Sequence, residues 1–206
     1  MKNFNLKRTL NLRSLTLVAI FTVALFAVSC DKASDDYLST QTEFETKSAE
    51  NSKAVKKGNE SIAEIAIGAG FTELVAALSY VDAELGAGLV ELFLNGTDQY
   101  TVFAPTDDAF TTLYGALGIG GISDLPAETV LNVLLYHVTD GRRAANSVVP
   151  KNGVRTIETL NGETFNVDTE GKIWAVGGNS AMITSANISA SNGIIHIIDT
   201  VILPTL

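Results

Sequence analysis

The chain predicts an α+β domain in which helices pack against a largely β core. Three observations carry this. Apolar residues recur at helical spacing through most of Ser61–Leu135, with one strand-like run between. Short β-type runs separated by glycine turns dominate from Ala144 onward. The last run, Ile194–Val201, is nearly continuously apolar, as a strand buried on both faces requires. Helices first and strands later is the order of an α+β fold.

The elements follow from local chemistry. Ser61-Ile62-Ala63-Glu64 fits a capping box, serine at N-cap and glutamate at N3, and its helix stops near Gly68-Ala69-Gly70. Phe71, Leu74, Val75, Leu78 and Val81 give an amphipathic helix. Gly86 and Gly88 interrupt it, and Leu89, Leu92 and Phe93 form another apolar turn. Asn95-Gly96 turns the chain into Tyr100–Ala104, a short buried strand that Pro105 ends because proline cannot donate to a ladder. Thr106 is placed as N-cap of the next helix, with Asp107 and Asp108 at the positive end of its dipole. That helix is expected to reach about Tyr114. Pro126 suits a helix start, Val130, Leu131, Leu134 and Leu135 its inner face, and the chain becomes extended around Tyr136-His137-Val138. Strands are expected at Ser147–Val149, Arg155–Leu160, Glu163–Val167, Lys172–Val176 and Ala181–Thr184, with Asn161-Gly162 as a two-residue hairpin turn. Phe103 and Ile197 are expected to share one core.

Residues 1–29 carry Lys2, Lys7, Arg8 and Arg13 with no acid, then the apolar run Leu15–Val28, which reads as a secretory signal. Its 14 residues are short for a transmembrane helix. It ends at Ala27-Val28-Ser29-Cys30, and Cys30 is the chain's single cysteine. A small residue before a lone cysteine resembles a bacterial lipobox, which implies cleavage and lipidation at Cys30. An ordinary signal with an incidental cysteine is the competing reading. Cys30-Asp31-Lys32-Ala33-Ser34-Asp35-Asp36 resembles the start of surface-exposed lipoproteins of Bacteroidetes-type bacteria. Residues 30–59 are polar and of mixed charge and read as a disordered tether, leaving 60–206 as the globular domain.

The charge excludes some partners. The domain from residue 60 holds 17 acidic against five basic residues. Phosphate backbones and anionic lipid would both repel it, so nucleic acid is excluded and membrane attachment rests on the lipid anchor alone. Catalytic motifs are missing: there is no Gly-x-Ser-x-Gly, no His-Glu-x-x-His and no phosphate loop in Gly115–Gly121. No Asp-x-Asp-x-Asp-Gly calcium loop occurs either. The expectation is a non-enzyme with no catalytic residue, metal or cofactor.

Two stretches carry a family resemblance. Tyr100-Thr-Val-Phe-Ala-Pro-Thr-Asp-Asp-Ala-Phe110 resembles the first signature of fasciclin domains, and Ser191–Pro204 the second. Leu134-Leu135-Tyr136-His137-Val138 resembles the family's tyrosine–histidine segment, and Thr159–Gly162 its hairpin. The likeness covers about Ser61 to Pro204. It implies a β-sandwich-like core wrapped by helices, in a secreted or surface-anchored protein that works by adhesion or matrix interaction. By the same resemblance, binding residues are expected at Tyr136 and His137. Asn187 and Ile188 stand where some members carry an Asp-Ile pair, and the missing charge weakens that assignment. The competing reading makes Tyr136 and His137 packed scaffold. His196 is read as a core histidine, with Thr106 or Asp107 expected close to its strand. The resulting function is a lipid-anchored protein of the bacterial envelope, at the outer membrane, with periplasmic or outward display left open. It would hold a protein or matrix component. The alternative is a carrier of an apolar small molecule, pigment or lipid, in a groove between helices and sheet opened by Phe71–Leu85 and Gly115–Gly121.

Overall fold

A computed structural model describes residues 57–205. Three helices come first: α1 (Ile62–Gly68), α2 (Thr72–Leu85) and α3 (Leu89–Asn95). Strand β1 (Tyr100–Pro105), helix α4 (Asp107–Leu117), a 3-10 turn at Ile122–Asp124 and helix α5 (Ala127–Tyr136) follow. Then come β2 (Val138–Asp140), the short helix α6 (Ala145–Val148), β3 (Arg155–Glu158), β4 (Thr164–Val167), β5 (Lys172–Ala175), β6 (Ser180–Ala190) and β7 (Gly193–Ile198). The α+β class is as expected.

The strands form one sheet in the order β2-β1-β7-β6-β5-β4-β3. Only β1 and β7 run parallel. Strand β6 serves both halves: Ser180–Met182 pair with β5, and residues from Ile183 on pair with β7. Its register shifts between Ile183 and Ser185 and again between Ser185 and Ile188. Bulges of this kind bend a strand, and the sheet curls back on itself there. Its two ends nearly meet, where Thr139 Oγ1 donates to Glu158 O (2.7 Å) and Leu160 N–H to Val138 O (2.8 Å).

Curling creates two cores. Inside the curl lie Phe103, Tyr136, Ile157, Phe165, Ile173 and Ile198. Phe165 meets Phe103 edge-on at 5.0 Å and Tyr136 at 5.9 Å, contacts worth about 0.5–1.5 kcal/mol each beyond area burial. Between sheet and helices lie Leu74, Leu78, Phe93, Val102, Phe110, Leu134 and Ile195. The expectation that Phe103 and Ile197 share a core fails for a simple reason. Phe103 pairs with His196 and Ala104 with Ile197, and successive residues of a strand face opposite sides. Phe103 therefore points into the curl and Ile197 toward the helices.

Other differences have local causes. Helix α4 runs on to Leu117, through Gly115, and stops at Gly118 in the left-handed conformation. Ser147–Val149, expected as strand, is largely the helical turn α6, because Asn187 Oδ1 accepts the free Ala145 N–H (2.7 Å) from across the fold. The hairpin at Asn161-Gly162 forms with a longer turn. Gly162 N–H donates to Thr159 O (3.0 Å), Thr159 N–H donates to Glu163 O (2.9 Å), and Gly162 has φ +88°. That is a type I turn closed by a left-handed glycine, and Asp168–Gly171 and Ala175–Gly178 repeat its bonding pattern. The sheet-bound chain also begins earlier than Ser61. Gly58 N–H donates to Ala190 O, and a Cβ at Gly58 would lie 2.0 Å from Ser189 O.

Candidate functional site

The first signature stretch works as a clamp between helices. Thr106 Oγ1 accepts Ala109 N–H (3.3 Å) and caps its own helix, as its position implied. Its backbone N–H donates to Ile198 O (3.2 Å), which puts it beside the last strand. Asp107 does something the sequence did not reveal. Its carboxylate accepts Thr72 N–H (3.3 Å), Glu73 N–H (3.0 Å) and the Thr72 hydroxyl. Phe71 at the N-cap of α2 has no capping side chain of its own, so Asp107 caps that helix from 35 residues away. Partial burial opposes its ionisation, yet the hydrogen bonds outweigh this and hold its carboxyl below the usual range. Asp82 repeats the device, taking Leu89 N–H and Val90 N–H at 2.8 Å each and capping α3, whose N-cap is Gly88.

Tyr136 and His137 lie where α5 ends. Tyr136 is fully buried; its hydroxyl donates to Thr164 O (2.9 Å) and accepts Val176 N–H (3.1 Å). His137 is 3% exposed. Its Nε2 accepts Ile202 N–H (3.1 Å), so the proton sits on Nδ1 and is donated to Val133 O (2.7 Å). Burial pulls its pKa down to about 4, against the opposing effect of the Val133 bond. His137 thus fastens the last segment of the domain, at Ile202, to α5, and Tyr136 ties the same helix end to β4 and to the turn after β5. The expectation that they touch a partner directly fails: Tyr136 is fully enclosed, and His137 reaches only the floor of a recess with both ring nitrogens already bonded.

His196 is fully buried and is held in the other tautomer. Its Nε2–H donates to Arg143 O (2.9 Å), Nδ1 accepts Asn187 N–H (3.4 Å), and its ring stacks on Phe103 at 5.5 Å. Its internal partners are therefore Arg143 and Asn187, while Thr106 lies close to its strand, as expected, through the bond to Ile198 O. Burial lowers its pKa too. Asn187 is exposed at the bulge of β6, with φ +66°, and its side chain caps α6. Ile188 is half-buried against the helix-side core. No bond joins Asn187 or Ile188 to Tyr136 or His137, so the structure does not assemble the four as one site. Cys30 lies outside the described residues.

Two residues whose long-range bonds the sequence did not reveal also organise the β6–β7 turn. Asn192 is buried, accepts Ile62 N–H (2.8 Å) and donates to Phe93 O (2.9 Å), tying α1 and α3 to the turn. The Arg142 guanidinium donates to Ala190 O, Gly193 O and Ser189 Oγ.

A family model described as the fasciclin domain matches residues 69–204. The chain belongs to the fasciclin domain family. It is 39% identical over 173 residues to the protein sll1483 of Synechocystis, covering 80% of this chain and 86% of that one. It is 34% identical over 136 residues to the transforming growth factor-beta-induced protein ig-h3 of Sus scrofa, covering 65% of this chain and 18% of that protein. It is also 34% identical over 137 residues to the immunogenic protein MPB70 of Mycobacterium bovis, covering 65% of this chain and 63% of that one.

With the signature residues of this fasciclin domain turned inward, the candidate site is a recess in the helical layer. A cavity of about 130 Å³ lies between α2 (Leu74, Ala77), α4 (Phe110, Leu117) and α5 (Val130, Leu134). Its wall presents no polar surface. His137 also lines it, with both ring nitrogens already engaged. Leu117 stands half-exposed beside it. Such a wall cannot polarise a bond or hold a metal; it can take an apolar group out of water. Among the described residues, no cluster of His, Cys, Asp or Glu has the arrangement of a metal site.

Proposed function

We propose that this fasciclin domain protein is a non-enzymatic binding protein, exported and fastened to the bacterial envelope through lipid on Cys30. It holds a partner protein or matrix component. The observation that carries this reading is the inward use of its chemistry. Both histidines, Tyr136, Asp82 and Asp107 hold the scaffold together, while the open recess is purely apolar. The residues before the domain would supply reach, and the folded face would make the contact. No helix among the described residues is long and apolar enough to cross a membrane, which is compatible with attachment at the cysteine. The domain's acidity disfavours nucleic acid as a partner.

The test has two arms. Radiolabelled palmitate should enter the wild-type protein in its native host, and the Cys30→Ala variant should lose both label and membrane retention. Purified domain should coat cells or matrix in a saturable way. An unlabelled wild-type protein overturns the anchor, and failure to bind any envelope or matrix fraction overturns the contact role.

The recess also favours a second reading, a carrier of a small apolar molecule. Of the segments expected to open a groove, Leu74 and Ala77 of α2 and Leu117 at the end of α4 line this recess, and the glycines that follow α4 do not. Its volume is close to that of an engineered apolar cavity of about 150 Å³ that binds benzene. Native mass spectrometry of protein from its host separates the two: a bound apolar mass supports the carrier.

A further inference from the structure

The recess sits in a layer with an unusual charge pattern. From Ser61 to Gly141 the chain holds eleven acidic residues and no lysine or arginine. Some of these carboxylates are engaged: Glu64, Asp82, Asp107 and Asp124 accept backbone N–H groups. Accepting a hydrogen bond leaves a carboxylate its charge, so with no cation among these residues the layer is strongly negative. Ile122, Leu125 and Thr129 line the recess, and the exposed Asp124 and Glu128 alternate with them along the chain. An apolar recess is thus bordered by carboxylates with no cation supplied by the same layer.

That combination discriminates among occupants. A fatty acid or phospholipid would bring an anion to a border of the same sign. A ligand with a buried polar head would find no polar surface on the wall, and the ring nitrogens of His137 are already bonded. The cavity has room for one large apolar side chain and little more.

Resting on the reading of the domain as a protein-contact module, the geometry points to a partner of definite chemistry. It is a cationic peptide segment that seats one large apolar side chain in the α2–α4–α5 recess. Lysines or arginines flanking that side chain lie over Asp124 and Glu128. The buried anchor supplies most of the affinity, and the carboxylates steer basic segments in and turn acidic ones away.

The experiment is fluorescence anisotropy on the full chain purified from its host membrane, using a labelled Gly-Lys-Lys-Phe-Lys-Lys peptide as probe. Binding should saturate and weaken as salt rises. Replacing the peptide's Phe by Ala, or its lysines by Glu, should weaken it about tenfold or more. Leu117→Lys, at a half-exposed position the fold tolerates, should abolish it. Glu128→Lys should weaken it about two- to fivefold, the scale of an exposed charge pair. Equal binding of the acidic peptide, or unchanged binding by Leu117→Lys, overturns the inference. Saturation by hexanol with no response to the basic peptide overturns it in favour of the carrier. Dimerisation that Leu117→Lys abolishes overturns it in favour of a second copy as occupant. If the peptide fails while cell or matrix binding persists, this inference falls and the contact reading stands. If both fail, both fall.

Discussion

Acidification should destabilise the domain well above the pH at which carboxylates titrate, and His137 sets the size of the effect. In the fold it is neutral, with its pKa at about 4, against 6.5 when exposed. Its folded pKa is depressed, so the unfolded chain binds the proton more readily. Its contribution is therefore fully present above about pH 6.5 and is lost as pH falls toward 4. The difference of 2.5 units, at about 1.36 kcal/mol each, corresponds to about 3 kcal/mol. For a domain of this size that is about 6–12 °C in Tm. His196 shifts in the same direction and adds to the loss. The assay is urea unfolding at half-unit steps from pH 7.5 to 4.5, a window that stays at or above the ordinary pKa of free carboxyls. His137→Gln is the informative variant. Its amide can still donate to Val133 O and accept from Ile202 N–H, and it does not titrate. It should be less stable at pH 7.5 yet lose much less between pH 6.5 and 4.5. Wild-type stability that stays flat across that window, or an NMR titration placing the His137 pKa near 6.5, refutes the reasoning.

Three further outcomes follow from the geometry. Asp107→Ala should cost about 1–3 kcal/mol in chemical denaturation, because it uncaps α2 and leaves Thr72 and Glu73 N–H groups without their acceptor. Asn187→Gly should lose only the α6 cap, about 1 kcal/mol. Asn187→Val should lose that plus about 1–2 kcal/mol for a branched residue at φ +66°, an ordering that differential scanning calorimetry can check. Gly193→Ala should abolish soluble folded protein or lower its Tm sharply, since the new Cβ would lie 2.1 Å from Tyr100 O in the β1–β7 pairing. A Gly193→Ala protein as stable as wild type would mean that the strand pairing is wrong.

What could be read in the sequence was whatever is local. Ser61 and Glu64 are three residues apart, and their reciprocal cap was legible; so were Thr106 as a cap and the glycine-punctuated hairpins. What escaped reading depends on partners distant in the chain. The Asp107 cap on α2 spans 35 residues, and the Asn187 cap that turns Ser147 and Val148 helical spans 42. The extension of β6 to Ala190 was hidden because its bulges break the alternation that marks a strand. Tyr136 and His137 looked equally like a binding pair or a packed join. Only the tertiary bonds to Thr164, Val176 and Ile202 decide that they are scaffold. The recess left no local motif, since its wall comes from three helices, the 3-10 turn between α4 and α5, the end of β1 and the last segment of the domain. The absence of any cation between Ser61 and Gly141 was plain in the sequence, and it gained meaning once the recess gave it a place.

The central claim is that the family's signature side chains hold this domain together from within and leave recognition to its surface. Diethylpyrocarbonate, which modifies accessible imidazoles, addresses it directly, with peptide mapping to assign the product. In the folded protein at pH 7, His137 and His196 should both stay unmodified, and both should react once urea unfolds the chain. Rapid modification of native His137 would put that ring at the surface and contradict the account.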